Sequence, residues 1–120
     1  MIKAFLPIPL RAWRLALAGA LVVVTMLSLL PLGPDAPSTG WDKTDHLLGF
    51  GLLAILACQS WPRRNLTALA GLLVYGALIE VLQSFTPYRF AEWNDLLADA
   101  MGLLLGWSLL LSARTLWARR

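Results

Sequence analysis

Four apolar runs, at about 15–30, 47–61, 66–85 and 93–111, divide the chain, and polar or turn-forming residues break it between them. None of the runs alternates with the period of two that a strand or a membrane barrel requires, and no internal repeat or low-complexity tract replaces them. Pro31, Gly33, Pro34, Pro37 and Gly40 gather between the first and second runs. Pro62, Arg63, Arg64 and Asn65 follow the second, and Thr86, Pro87 and Arg89 follow the third. Such clusters punctuate structure. A hydrocarbon core about 30 Å thick takes about 20 helical residues, and the runs match that length. They predict spans at 14–31, 44–61, 66–85 and 94–113. The second begins in a polar turn, because its apolar part alone is short. The expected fold is all-α, a small integral membrane protein in which 1–120 forms one domain, a four-transmembrane-helix bundle.

Composition strengthens this picture. The chain is 58% hydrophobic and 14% charged, against about 25% charged in a typical soluble domain, and its mean hydropathy is +0.67. A soluble role is excluded. Lys3, Arg11 and Arg14 before the first run resemble the start of a signal peptide, but the run is longer than a usual signal core. No Ala-x-Ala site follows Pro31, so a retained span is expected. Cys58, the single cysteine, cannot form an internal disulfide and reads as apolar filler.

The net charge of +3 and the basic pI raise nucleic acid as a partner, but the cations sit at the ends of apolar runs and form no patch. Orientation explains them better. With both termini inside, Lys3, Arg11, Arg14, Arg63, Arg64, Arg114, Arg119 and Arg120 are cytoplasmic, and only Lys43 and Arg89 are outside. This is a positive-inside pattern, and Trp13, Trp41, Trp61, Trp93 and Trp117 fall at span ends, where indole rings favour the headgroup region. The same arrangement puts all seven acids, Asp35, Asp42, Asp45, Glu80, Glu92, Asp95 and Asp99, on the outer side or in the outer half of a span. His46, Gln83 and Arg89 join them. Spans two, three and four therefore bring polar turns to one face, whereas the first span brings none and reads as packing.

Glu80 is the residue that most requires explanation. It shares a helix face with Gln83, and an intramembrane carboxylate is a functional candidate by default. It lies near the C-terminal end of its own helix, where the macrodipole disfavours negative charge, so it should have a partner. Arg89 beside it is the cation expected to pair with Glu80 or to bind an anion, since a guanidinium matches carboxylate or phosphate through two parallel hydrogen bonds. Structural readings compete at other positions. Asp42, Asn94 and Asp95 are also suited to capping helix N-termini, His46 to a satisfied interfacial ring, and Lys43 to snorkelling. Asp99, one turn beyond Asp95, is past the reach of capping. Ala98, Gly102 and Gly106 continue the same side of the helix as a small-residue stripe that allows close approach.

Together, Asp42-Lys43-x-x-His46, Glu80-x-x-Gln83, Pro87-x-Arg89 and the Asp95 to Gly102 spacing resemble the VanZ-like family, over about 41–106. The combination is specific although each motif alone is not. Where the family pattern often has Asn four residues after the aspartate, this chain has Asp99. The family includes a member associated with resistance to the lipoglycopeptide teicoplanin, so the resemblance implies a multi-pass protein of the bacterial cytoplasmic membrane with a role in the cell envelope.

Two classes of function follow. In the first, the outer polar residues recognise a membrane lipid, a lipid-linked envelope precursor or a glycopeptide, with Arg89, Gln83, Asp99, Lys43 and Asp42 as binding residues. In the second, the protein is an enzyme acting on an outer-leaflet headgroup, with Glu80, Asp95 and His46 as acid, base or supporting groups. No tight metal-ligand motif is present, but the acids with His46 suit a divalent cation such as Mg²⁺. An oligomer is compatible with either class, and a transporter would need one. Nucleic acid is not an expected partner.

Overall fold

The computed structural model describes residues 7–31, 42–87 and 92–120. These form four helices, α1 (Leu10–Leu29), α2 (Asp42–Ser60), α3 (Asn65–Ser84) and α4 (Trp93–Ala118), with no strand among the described residues. The helix ends follow local chemistry. The extended backbone of Leu30 precedes Pro31, as expected of a residue whose helical conformation would clash with a following proline ring. α2 stops two residues before Pro62, and the Arg64 N–H donates to the Trp61 carbonyl to close a tight turn into α3. At the end of α3, both the backbone N–H and the hydroxyl of Thr86 donate to the Gln83 carbonyl. Those bonds satisfy a helix-terminal acceptor before Pro87.

Three helices, α1, α3 and α4, are long and apolar enough to cross a membrane, so on this measure three of the four expected spans are met. α2 differs because its first turn contains Asp42, Lys43, Asp45 and His46. It is also the helix most enclosed by the others, packing most extensively on α4 and then on α1. α1 starts earlier than expected, at Leu10, and α4 continues past residue 113 to Ala118.

Large apolar side chains face outward, including Leu15, Leu66, Val74 and Leu104, each more than half exposed. The interior combines Phe50, Leu53, Ala54, Ala57, Cys58 and Leu103 with buried Gln59, Ser60, Glu80, Gln83, Asp95 and Asp99. This distribution suits lipid, where apolar surface needs no burial and polar groups must find partners inside. The small-residue stripe supplies the α2–α4 contact. A Cβ on Gly102 would lie 2.5 Å from the Leu47 carbonyl oxygen, and one on Gly106 would collide with the Gly51 carbonyl. Only glycine permits backbones to approach so closely.

At the end remote from the acids, Arg114 donates to the Gln59 side chain at 2.6 Å, and Arg14 donates to the Ser60 carbonyl while lying over the Trp61 ring. α1 also contributes polar contacts. Thr25 and Tyr75 hydroxyls lie 2.6 Å apart, and the Ser28 carbonyl accepts a 2.9 Å hydrogen bond from Gln83. The expectation that the first helix brings nothing polar is corrected by its backbone: one of its carbonyls serves the polar end of α3.

Candidate functional site

The first turn of α2, the last turns of α3 and the first turns of α4 converge at one end of the bundle. His46 is four residues before Phe50, whose buried ring packs near Tyr75 and fixes this side of α2 against α3. Asp95 and Asp99 are one turn apart on α4, on the side that contacts α2. His46 Nδ1 and Asp99 Oδ1 are 2.7 Å apart, and His46 Nε2 is 3.9 Å from Asp95 Oδ2. Asp95 and Asp99 are 2% and 1% exposed, so these short side chains are held inside the protein. Gly76 on α3 leaves room for one of them, because a Cβ there would lie 2.8 Å from Asp99 Oδ2.

Lys43 closes the outer edge. Its ammonium donates to Glu92 at 2.9 Å and to Asp95 at 3.3 Å. These carboxylates, Glu92 first, raise the lysine above its ordinary range and keep it charged at the polar start of α2, outside the apolar stretch. The half-exposed Glu92 was not a sequence candidate. Its signal was its place among the acids of the outer face.

Glu80 has a partner that spacing along its own helix does not reveal. Its Oε2 accepts the backbone N–H of Glu92 at 3.1 Å, and Glu92 is the N-cap residue of α4, whose own side chain makes no capping bond. The carboxylate therefore caps a different helix, at the positive end of its dipole. Asn94 and Asp95, weighed as caps, lie inside α4, and Asp95 adds negative charge to its first turn. Glu80 is 7% exposed, and its Oε1 has no hydrogen-bond partner among the described residues. Gln83 Oε1, on the next turn of the same face, is likewise buried without one. Arg89 lies outside the described residues, and Asp42 is described by its backbone alone.

The structure thus gathers His46, Glu80, Asp95, Asp99 and Lys43, with Gln83 on the α1 side through Ser28. One ligand-capable atom from each of His46, Glu80 and Asp99 lies within 4.8 Å of the other two. The sequence-based expectation counted Glu80, Asp95, Asp99 and His46 among the groups that could hold a cation; Asp95 is engaged by Lys43, and the three that converge are His46, Glu80 and Asp99.

The VanZ/LLP1 family model matches residues 6–116. The chain belongs to the VanZ/LLP1 family. No curated protein and no solved structure matches it significantly. The match covers all four helices almost completely, so in this VanZ/LLP1 membrane protein the converging polar residues all lie within the family's segment. Sequence reasoning about this chain missed Gly76, whose signal was a glycine one turn before Glu80, and Tyr75, whose hydroxyl ties α3 to α1.

Proposed function

We propose that this VanZ/LLP1 protein crosses the bacterial cytoplasmic membrane four times with both termini inside, and that its outer polar end recognises a headgroup of an envelope lipid or lipid-linked precursor. The observation that carries the reading is the pair of buried acceptors, Glu80 Oε1 and Gln83 Oε1, which have no hydrogen-bond partner among the described residues and lie beside a cluster of carboxylates. A buried acceptor without a donor costs about 1–3 kcal/mol, and two such acceptors on one helix face offer a ligand two adjacent hydrogen-bond sites. Hydroxyl or ammonium groups of a headgroup would supply the donors. α2 crosses the membrane in this reading because its neighbours enclose it, and its polar turn then lies at the outer interface.

A second reading, an enzyme acting on an outer-leaflet headgroup, is favoured by the short His46–Asp99 contact. A carboxylate that orients an imidazole in this way fixes the ring's tautomer and the direction of its proton transfer. Glu80 and Asp95 would serve as acid or base. Conservative replacement separates the readings: Glu80→Gln removes proton transfer but retains much of a hydrogen-bonded recognition network.

The role in the envelope is tested by teicoplanin susceptibility in a sensitive Gram-positive host expressing, at matched membrane levels, the wild-type chain, Glu80→Gln or Arg89→Ala. Protection by wild type that both variants lose supports the outer polar end as the functional element. Absence of protection by well-expressed wild type refutes an effect of this chain on glycopeptide susceptibility.

A further inference from the structure

Buried carboxylates in lipid-embedded proteins are paired, neutralised or bound to metal. Here one histidine and two acids from three different helices point at one another, a geometry that packing of apolar faces does not require. Glu80 is buried, and among the described residues Oε1 has no partner while Oε2 is held by the α4 N-terminus. Anchoring one oxygen of a carboxylate and leaving the other open fixes a ligand's direction, as hydrogen bonds to ligating groups do in metal sites.

We propose that His46, Glu80 and Asp99 bind one divalent transition-metal ion, Zn²⁺ or Mn²⁺. The ion would take the Glu80 carboxylate that the headgroup reading also uses and leave Gln83 Oε1 to the headgroup, and its test reads metal binding alone. Metal–ligand bonds of about 2.0–2.2 Å put the ligands of a tetrahedral ion about 3.3–3.6 Å apart. The three atoms already lie within 4.8 Å of one another, and side-chain adjustments of about an ångström close them on one ion. An imidazole with two carboxylates suits zinc or manganese. Ca²⁺ takes about 6–8 oxygens and Mg²⁺ keeps several waters in a strict octahedron, and neither gains from a nitrogen ligand. Three protein ligands also leave a coordination position open. Gly76 contributes space: a side chain there would press on Asp99 Oδ2 and turn that carboxylate away. Asp95 lies outside the proposed ligand set, bound by Lys43.

The test uses the full chain without an affinity tag, in detergent micelles, stripped with a chelator and titrated calorimetrically with Zn²⁺, Mn²⁺ or Mg²⁺. Wild type is expected to bind one Zn²⁺ or Mn²⁺ per chain and to prefer both over Mg²⁺. His46→Ala, Glu80→Gln and Asp99→Asn are each expected to weaken binding by more than the roughly 10–100-fold that loss of an outer-shell partner costs, whereas Arg63→Gln leaves it unchanged. Substituted Co²⁺ is expected to show no thiolate charge-transfer band, placing the ion away from Cys58. Helicity by circular dichroism checks that each variant is folded. Failure of folded wild type to bind either metal overturns the proposal whatever the variants do, as does full affinity retained in the folded variants or a thiolate band.

Discussion

Replacing Gly102 with alanine would bring a methyl group to 2.5 Å from the Leu47 carbonyl oxygen. Restoring an ordinary contact of about 3.4 Å requires α2 and α4 to part by about 0.9 Å at this point. His46 immediately precedes Leu47 on α2. The same parting would stretch its 2.7 Å contact with Asp99 to about 3.6 Å, beyond hydrogen-bonding range. Alanine gains roughly 0.5–1 kcal/mol over glycine within a helix, but overpacking costs about 1–3 kcal/mol. The clash exceeds the gain by up to about 2.5 kcal/mol. At Gly19 an added Cβ meets nothing within 4 Å, so Gly19→Ala realises only the gain. Thermal unfolding in detergent should therefore move downward for Gly102→Ala and upward or not at all for Gly19→Ala. The chain has one histidine, so its imidazole nitrogen resonances report His46 alone. They should shift in Gly102→Ala and remain fixed in Gly19→Ala. Equal stability of the two variants with an unchanged imidazole signal would refute the coupling between glycine packing and the polar end.

Two further predictions concern the opposite end and the orientation of the bundle. Arg114→Leu removes the 2.6 Å donor to buried Gln59 and should destabilise by about 1–3 kcal/mol; the same change at exposed Arg119 should be nearly silent in the same unfolding assay. In a Cys58→Ser background, a cysteine replacing Thr39 should react with a membrane-impermeant maleimide added outside intact cells, and reaction only from the cytoplasm would overturn the proposed orientation.

The four helices were legible because helix length, proline breaks and apolar runs are all local signals. α2 was legible as a helix but less so as a span: its polar first turn lowers its apolarity, while three neighbours rather than lipid surround much of it. The demand that Glu80 find a partner was also legible, since its own helix dipole opposes it. The partner itself was not. Nothing in the spacing says that the N-terminus of α4 folds back against the last turns of α3, so the helix-capping explanation that fails within α3 succeeds between helices. Gly76 was missed for the same reason, because its function as space exists only when Asp99 arrives from another helix.

The glycine stripe and the acids on α4 are therefore parts of one arrangement. Aspartate and histidine side chains are short, and His46 reaches Asp99 only where α2 and α4 are in near-backbone contact, as Gly51, Gly102 and Gly106 allow. In lipid, no hydrophobic force drives helices together, so close packing and interhelical hydrogen bonds must do so. The polar end consequently contributes to assembly whatever else it does. Assembly accounts for the oxygens that are bonded: Glu80 Oε2 on the α4 N-terminus, Asp95 with Lys43, and Asp99 with His46. It does not account for Glu80 Oε1 and Gln83 Oε1, which are buried on adjacent turns of α3 at a cost that leucine or alanine would avoid. Among the described residues those two atoms have no donor, and they are where the proposed headgroup would bind.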